Sequence, residues 1–199
     1  MSGDNLLALL LGSVIVGYGV SSCGTSGLRT VTPPNAPPDI SVQMTRDSLS
    51  HRGISIGGYR YFGHEIIAPA DGAVVFVRST HVRVYHGTDS NNQEIYTEHY
   101  HLHGDLLTQG EKIKRGQTIG SIGSGLSSRI PHYHFLVVKE ERPGEFIALL
   151  PSDYWFGIDE YKAELDKELD SSPFAIACFD PSVNYPSKPI RFTYPVECK

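Results

Sequence analysis

Residues 130–138, Ile-Pro-His-Tyr-His-Phe-Leu-Val-Val, set two histidines two positions apart at the head of a strand-forming run. In an extended chain residues i and i+2 point to the same side, so His132 and His134 aim at one place. A second cluster, His99, His101 and His103, repeats that spacing in Glu-Ile-Tyr-Thr-Glu-His-Tyr-His-Leu-His-Gly, and His51 opens His-Arg-Gly-Ile-Ser. Imidazole is the commonest protein ligand for zinc, and a catalytic zinc usually keeps three protein ligands and one open position. The same ring also takes up and delivers protons near neutral pH. Metal binding and proton transfer are therefore the two chemistries this pattern can serve. The remaining histidines are His64, His81 and His86; His81 and His86 read as exposed positions near a turn.

The elements that must position these residues read as β. Alternation over residues 94–104 puts Ile95, Thr97, His99, His101 and His103 on one face, and Tyr96, Glu98, Tyr100 and Leu102 on the other. Ile-Ile-Ala-Pro-Ala-Asp-Gly-Ala-Val-Val-Phe-Val, residues 66–77, is a strand, a turn and a second strand apolar on both faces. Residues 106–125 are a glycine-punctuated series of short strands. No long helix is expected before residue 155. The helical segment is 158–169, where Ile158, Tyr161, Leu165 and Leu169 form one stripe, with Asp159–Lys162 and Glu164–Lys167 on the wet side.

A chain of 199 residues is long enough for one domain with a real core. A net charge of −5 gives a nucleic-acid partner no support. Leu6–Val20 is an apolar run followed by Ser-Ser-Cys-Gly, and it is short for a membrane-spanning helix. The pattern resembles a bacterial lipoprotein signal, residues 1–22, with Cys23 as the lipidated new N-terminus, although Met-Ser-Gly-Asp-Asn lacks the usual positive charge. Several acyl chains give stable anchoring. Gly24 lacks the aspartate that commonly retains lipoproteins in an inner membrane, which points to the outer membrane, facing the periplasm. Residues 23–40, rich in Gly, Thr and Pro, read as a tether. In an oxidising compartment Cys178 and Cys198 form an even pair, and a bridge across about twenty residues is worth roughly 3 kcal/mol in the chain-entropy model. Two free buried cysteines are the alternative.

Five ordered motifs carry a resemblance: His-Arg-Gly-Ile-Ser, Gly-His-Glu-Ile-Ile-Ala-Pro-Ala-Asp-Gly-Ala-Val-Val, His-Tyr-His-Leu-His-Gly-Asp-Leu, Gly-Glu-Lys-Ile-Lys-Arg-Gly-Gln-Thr-Ile-Gly-Ser-Ile-Gly-Ser-Gly and Pro-His-Tyr-His-Phe. In that order they resemble the lysostaphin/LytM-type zinc metallopeptidases, which cut peptide bonds in bacterial peptidoglycan. The match runs over roughly residues 50–139, and the tail after residue 140 has no counterpart in it. The resemblance implies an antiparallel β-sheet or sandwich core over residues 41–140, with a shallow groove, followed by an extension over 141–199 that holds the helix and the cysteine-bracketed tail. It implies one zinc held by His51 and His134, with His101 and His132 as catalytic residues beside it. The implied substrate is a stem or cross-bridge peptide of the wall.

One position departs from the family. Its second metal ligand is an aspartate, and this chain has Ser55 there. A neutral hydroxyl is a poor substitute for a carboxylate. The third ligand is either Ser55 itself or a substitute from His64, Glu65, His99 and His103, and spacing selects none of them. His99 also stands where the family has tyrosine, either as an added group for metal or substrate or as a solvated strand residue. Two readings follow: a zinc endopeptidase with a rebuilt third ligand, or a degenerate relative that binds peptidoglycan or regulates a separate cell-wall hydrolase.

Overall fold

The computed structural model describes residues 29–30, 41–44, 53–105, 107–124, 130–157 and 177–198. The expected leader, Cys23, His51 and the helix over 158–169 lie outside the described residues. No helix among the described residues is long and apolar enough to cross a membrane.

The chain is built from antiparallel strands. They are β1 (Arg29–Thr30), β2 (Ser41–Met44), β3 (Ile54–Gly57), β4 (Glu65–Ile67), β5 (Gly72–Arg78) and β6 (His81–Thr88). After these come β7 (Glu94–Tyr100), β8 (Leu102–His103), β9 (Lys112–Ile113), β10 (Thr118–Ile122), β11 (His132–Arg142) and β12 (Glu145–Leu149). The large sheet runs β1-β2-β3-β11-β7-β6-β5-β9, with β12 also on β11, and a small sheet runs β4-β10-β8. The stretch expected as a tether therefore contributes a two-residue strand, β1.

β11 is the axis of the sheet. Its first four residues pair with β3, its later ones with β12, and its other edge with β7. Tyr133, Phe135 and Val137 alternate inward and are fully buried, while His132, His134 and Leu136 stand on the opposite, half-buried face. The period-two pattern thus sorts one strand into a core side and an open side.

The core reaches well beyond the expected domain edge at residue 140, which falls inside β11. Trp155, Ile190, Phe192, Tyr194 and Val196 are buried in the same core as Ile54, Ile56 and Phe135. Trp155 stacks on Phe135 with centroids 5.7 Å apart, and Phe192 meets Phe135 edge-on. The tail docks through single bridges, Ile66 to Val196 and Trp155 to Phe192, and a disulfide joins Cys178 to Cys198.

Candidate metal centre

The register across β3, β11 and β7 places Ser55 beside His134 and His134 beside Tyr100. All three lie on the open face. Gly57 faces His132 at the end of the β3–β11 ladder, and a Cβ there would stand 2.5 Å from the His132 Cα. Only glycine lets the two strands approach so closely.

His101 arrives by a different device. Strict alternation would send it to the core side with His99, but its φ is 63°. This left-handed conformation is uncommon for a residue with a side chain. It ends β7 and turns the imidazole onto the open face. Gly123 fixes the bend, because its N–H donates to the His101 carbonyl at 2.8 Å and its carbonyl accepts the His132 N–H at 3.0 Å. A Cβ on Gly123 would lie 2.7 Å from the His101 carbonyl oxygen.

The result is a triad. The rings of His101 and His132 are 4.5 Å apart, those of His132 and His134 4.9 Å, and those of His101 and His134 5.4 Å. One nitrogen from each ring lies within 4.8 Å of the others, and each residue is half-buried. His132 donates from Nδ1 to the Ile130 carbonyl at 2.8 Å, which leaves Nε2 as its lone-pair nitrogen. Ser55 Oγ lies 3.1 Å from His134 Nε2. Desolvation, with a smaller contribution from the neighbouring His132, holds the His101 imidazole down to about 4. Three convergent imidazole nitrogens are a donor set that suits zinc, so the residues present fit that ion.

The triad includes none of the four proposed substitutes for the third ligand. His64 lies edge-on to Tyr61, Glu65 is exposed on β4, and His103 is exposed against the Phe62 ring at 5.2 Å. His99 is neither a solvated strand residue nor part of the triad: it is fully buried in the core. His81 and His86 also depart from the expectation of exposed turn positions, since both lie half-buried within β6.

His99 belongs instead to a polar thread under the sheet that sequence reasoning missed. His86 Nδ1 is 2.7 Å from the Asp71 carbonyl, His86 Nε2 is 2.7 Å from Thr97 Oγ1, Thr97 Oγ1 is 2.8 Å from His99 Nε2, and His99 Nδ1 is 2.7 Å from the Tyr133 hydroxyl. A carbonyl only accepts, so His86 carries its proton on Nδ1. Thr97 then donates to His86, His99 donates from Nε2 to Thr97, and the Tyr133 hydroxyl donates to His99. Burial holds His86 down to about 4 and His99 well below its ordinary value, so both rings are neutral. On the open face a second network follows the triad. Arg83 Nε donates to Glu98 at 2.7 Å, the Tyr100 hydroxyl donates to the same carboxylate, and His81 stacks on Tyr100 at 4.1 Å.

The profile of Peptidase family M23 matches residues 49–145, which contain the triad and Ser55. Among solved structures, a mutant catalytic domain of the prophage-encoded M23 protein EnpA from Enterococcus faecalis is 23% identical, with a TM-score of 0.41, over 61% of this chain and 88% of that one. A zinc-containing peptidase from Vibrio cholerae is 20% identical, with a TM-score of 0.42, over 62% of this chain and 40% of that one. The catalytic domain of the antimicrobial peptidase lysostaphin from Staphylococcus simulans is 18% identical, with a TM-score of 0.42, over 64% of this chain and 88% of that one. Over residues 49–145 this chain is therefore similar to Peptidase family M23.

Proposed function

We propose that the protein is a zinc-dependent endopeptidase that hydrolyses peptide bonds in bacterial peptidoglycan. The observation that carries this reading is the convergence of His101, His132 and His134 on the open face of an M23 domain. Bound zinc would supply a Lewis acid and a water nucleophile near neutral pH. His134 would hold the ion, together with His51. His101, neutral at pH 7 because its pKa is held down to about 4, is able to take a proton. His132, with its Nδ1 proton committed to the Ile130 carbonyl, presents Nε2 to the same space. The half-buried strand face that carries His134, Leu136 and Tyr100 would seat a stem or cross-bridge peptide.

The reading extends to an exported protein, lipid-anchored through Cys23 in the outer membrane and facing the periplasm. A second reading is favoured by Ser55: a relative without hydrolytic activity that binds wall peptides or regulates a separate hydrolase. Metal analysis of the full chain, made without a histidine tag, tests both together with release of new amino groups from purified peptidoglycan. About one zinc per chain, lost with activity in His134→Ala, is the expected result. A protein that binds peptidoglycan but takes up no zinc and releases no amino groups would establish the second reading.

A further inference from the structure

We infer that the cavity between the sheet body and the tail is a second binding site, which takes the carboxylate of a compact molecule such as the carboxyl end of a peptide. The inference does not depend on the peptidase reading, and no member of the triad lines this cavity.

The cavity holds about 270 Å³. Ala70 and Asp71 of the β4–β5 turn, His86 of β6 and Arg115 of the β9–β10 turn form one wall, and Phe179, Tyr185 and Ile190 of the tail form the other. It lies away from the triad: Val82 pairs with His99 at the near end of β6, and Gly87, beside His86, pairs with Ile95 at the far end. The tail wall is already fixed. A Cβ on Gly116, whose φ is 79°, would stand 2.2 Å from the Phe179 ring, so only glycine admits the ring there. Phe179 stacks on Tyr185 at 6.0 Å, Phe156 meets Tyr185 edge-on at 4.9 Å, and the Cys178–Cys198 bridge begins one residue before Phe179. A wall held in this way receives a ligand with little ordering cost.

The chemistry comes from Arg115. It is half-buried, and burial holds its guanidinium down to about 10, so it is still a cation at neutral pH. Its Nη1 donates to the Pro69 carbonyl and to Thr193 Oγ1, and its Nη2 donates to the Arg191 carbonyl at 2.8 Å. All three acceptors are neutral. A guanidinium has five N–H groups, and these bonds leave Nε–H and one Nη2–H. Nε and Nη2 share one edge of the fork, the edge that can meet both oxygens of a carboxylate. Tyr185 covers the guanidinium face at 4.3 Å. The acidic neighbour, Asp71, is exposed and engaged elsewhere, accepting from Lys114 Nζ at 2.7 Å and from the Arg115 backbone N–H at 2.9 Å. Among the described residues the guanidinium has no ion-pair partner. A half-buried cation in that condition is costly, and a carboxylate in the cavity would supply the partner. Ala70, Ile190 and the two rings would cover a small apolar body beside it.

The test is an NMR titration of the full, untagged, metal-free chain with N-acetylalanine, with N-acetylalaninamide and inorganic phosphate as comparison probes. N-acetylalanine should bind with a Kd of about 1 mM, and the uncharged amide at least about tenfold more weakly. Phosphate, which has no apolar body and no flat two-oxygen match, should also be at least about tenfold weaker. Arg115→Lys keeps a charge without the fork and should lose about tenfold. Ser187→Trp fills the cavity from its exposed rim, leaves Arg115 in place and should abolish binding, with melting of each ligand-free variant read in parallel to exclude loss of fold. His134→Ala should bind the probe as the parent does, which separates this cavity from the triad. Equal binding of the amide or of phosphate would overturn the carboxylate assignment. Binding that survives Ser187→Trp, or that is lost in His134→Ala, would place the probe elsewhere and overturn the site. So would the absence of saturation below about 50 mM.

Discussion

His99 and His101 stand two residues apart on one segment and have opposite fates. His99 is sealed in the core, with both ring nitrogens engaged and burial holding it neutral. His101 is half-buried on the other side, facing two more imidazoles. The same side chain serves as a structural connector on one face and as a candidate chemical group on the other. What separates them is one left-handed residue, not residue type. The core face spends its polar groups on one another, and the open face leaves some of them to meet a ligand.

The largest effect should come from the core. Phe192→Ala opens a cavity among Phe135, Trp155 and Tyr154, and should cost about 3–5 kcal/mol in urea unfolding. Acid should come next. His86 is held down to about 4 in the folded state against 6.5 when unfolded, so the unfolded chain binds the extra proton first. Stability is complete above pH 6.5 and falls as pH drops through the window to about 4, by roughly 3 kcal/mol from this group. Unfolding free energy measured from pH 7.5 to 4 should show the slope, and His86→Gln should flatten it in part, with His99, His101 and His81 supplying the remainder. Tyr133→Phe removes the last donor of the thread, leaves His99 Nδ1 unsatisfied, and should cost about 1–3 kcal/mol by the same assay. The smallest effect belongs to the open face. His134→Ala should change metal-free stability by less than about 1 kcal/mol, since water can reach the Ser55 hydroxyl left behind. If His134→Ala costs as much as Tyr133→Phe, the two faces are not the separate regions described.

The sequence made much of the site legible. Period-two spacing placed His132 and His134 together correctly, because β11 is regular through both. It failed one strand away. Alternation assumes that a strand continues, and the left-handed φ at His101 interrupts β7, so the five residues grouped on one face divide between core, site and exposed edge. The tail carries a weaker signal of its own. Ile190, Phe192, Tyr194 and Val196 alternate, but Pro189 precedes them and Pro195 interrupts them, which denies a regular ladder. They dock through two bridges and an aromatic cluster, and only the fold shows where these go. Gly123 was likewise invisible among the neighbouring glycines, since its role depends on the carbonyl that comes close to it.

The burial of Phe192, Tyr194 and Val196 in the same core as Ile54 and Ile66 has a consequence in time. During synthesis the chain emerges from residue 1 onward, yet the core around Ile54 and Ile66 lacks its last wall until residue 196 has been made. The triad's scaffold therefore cannot close around a nascent chain. It completes only after residue 196 has joined Ile66, and until then the strands that carry the triad stay open to whatever handles the chain during synthesis.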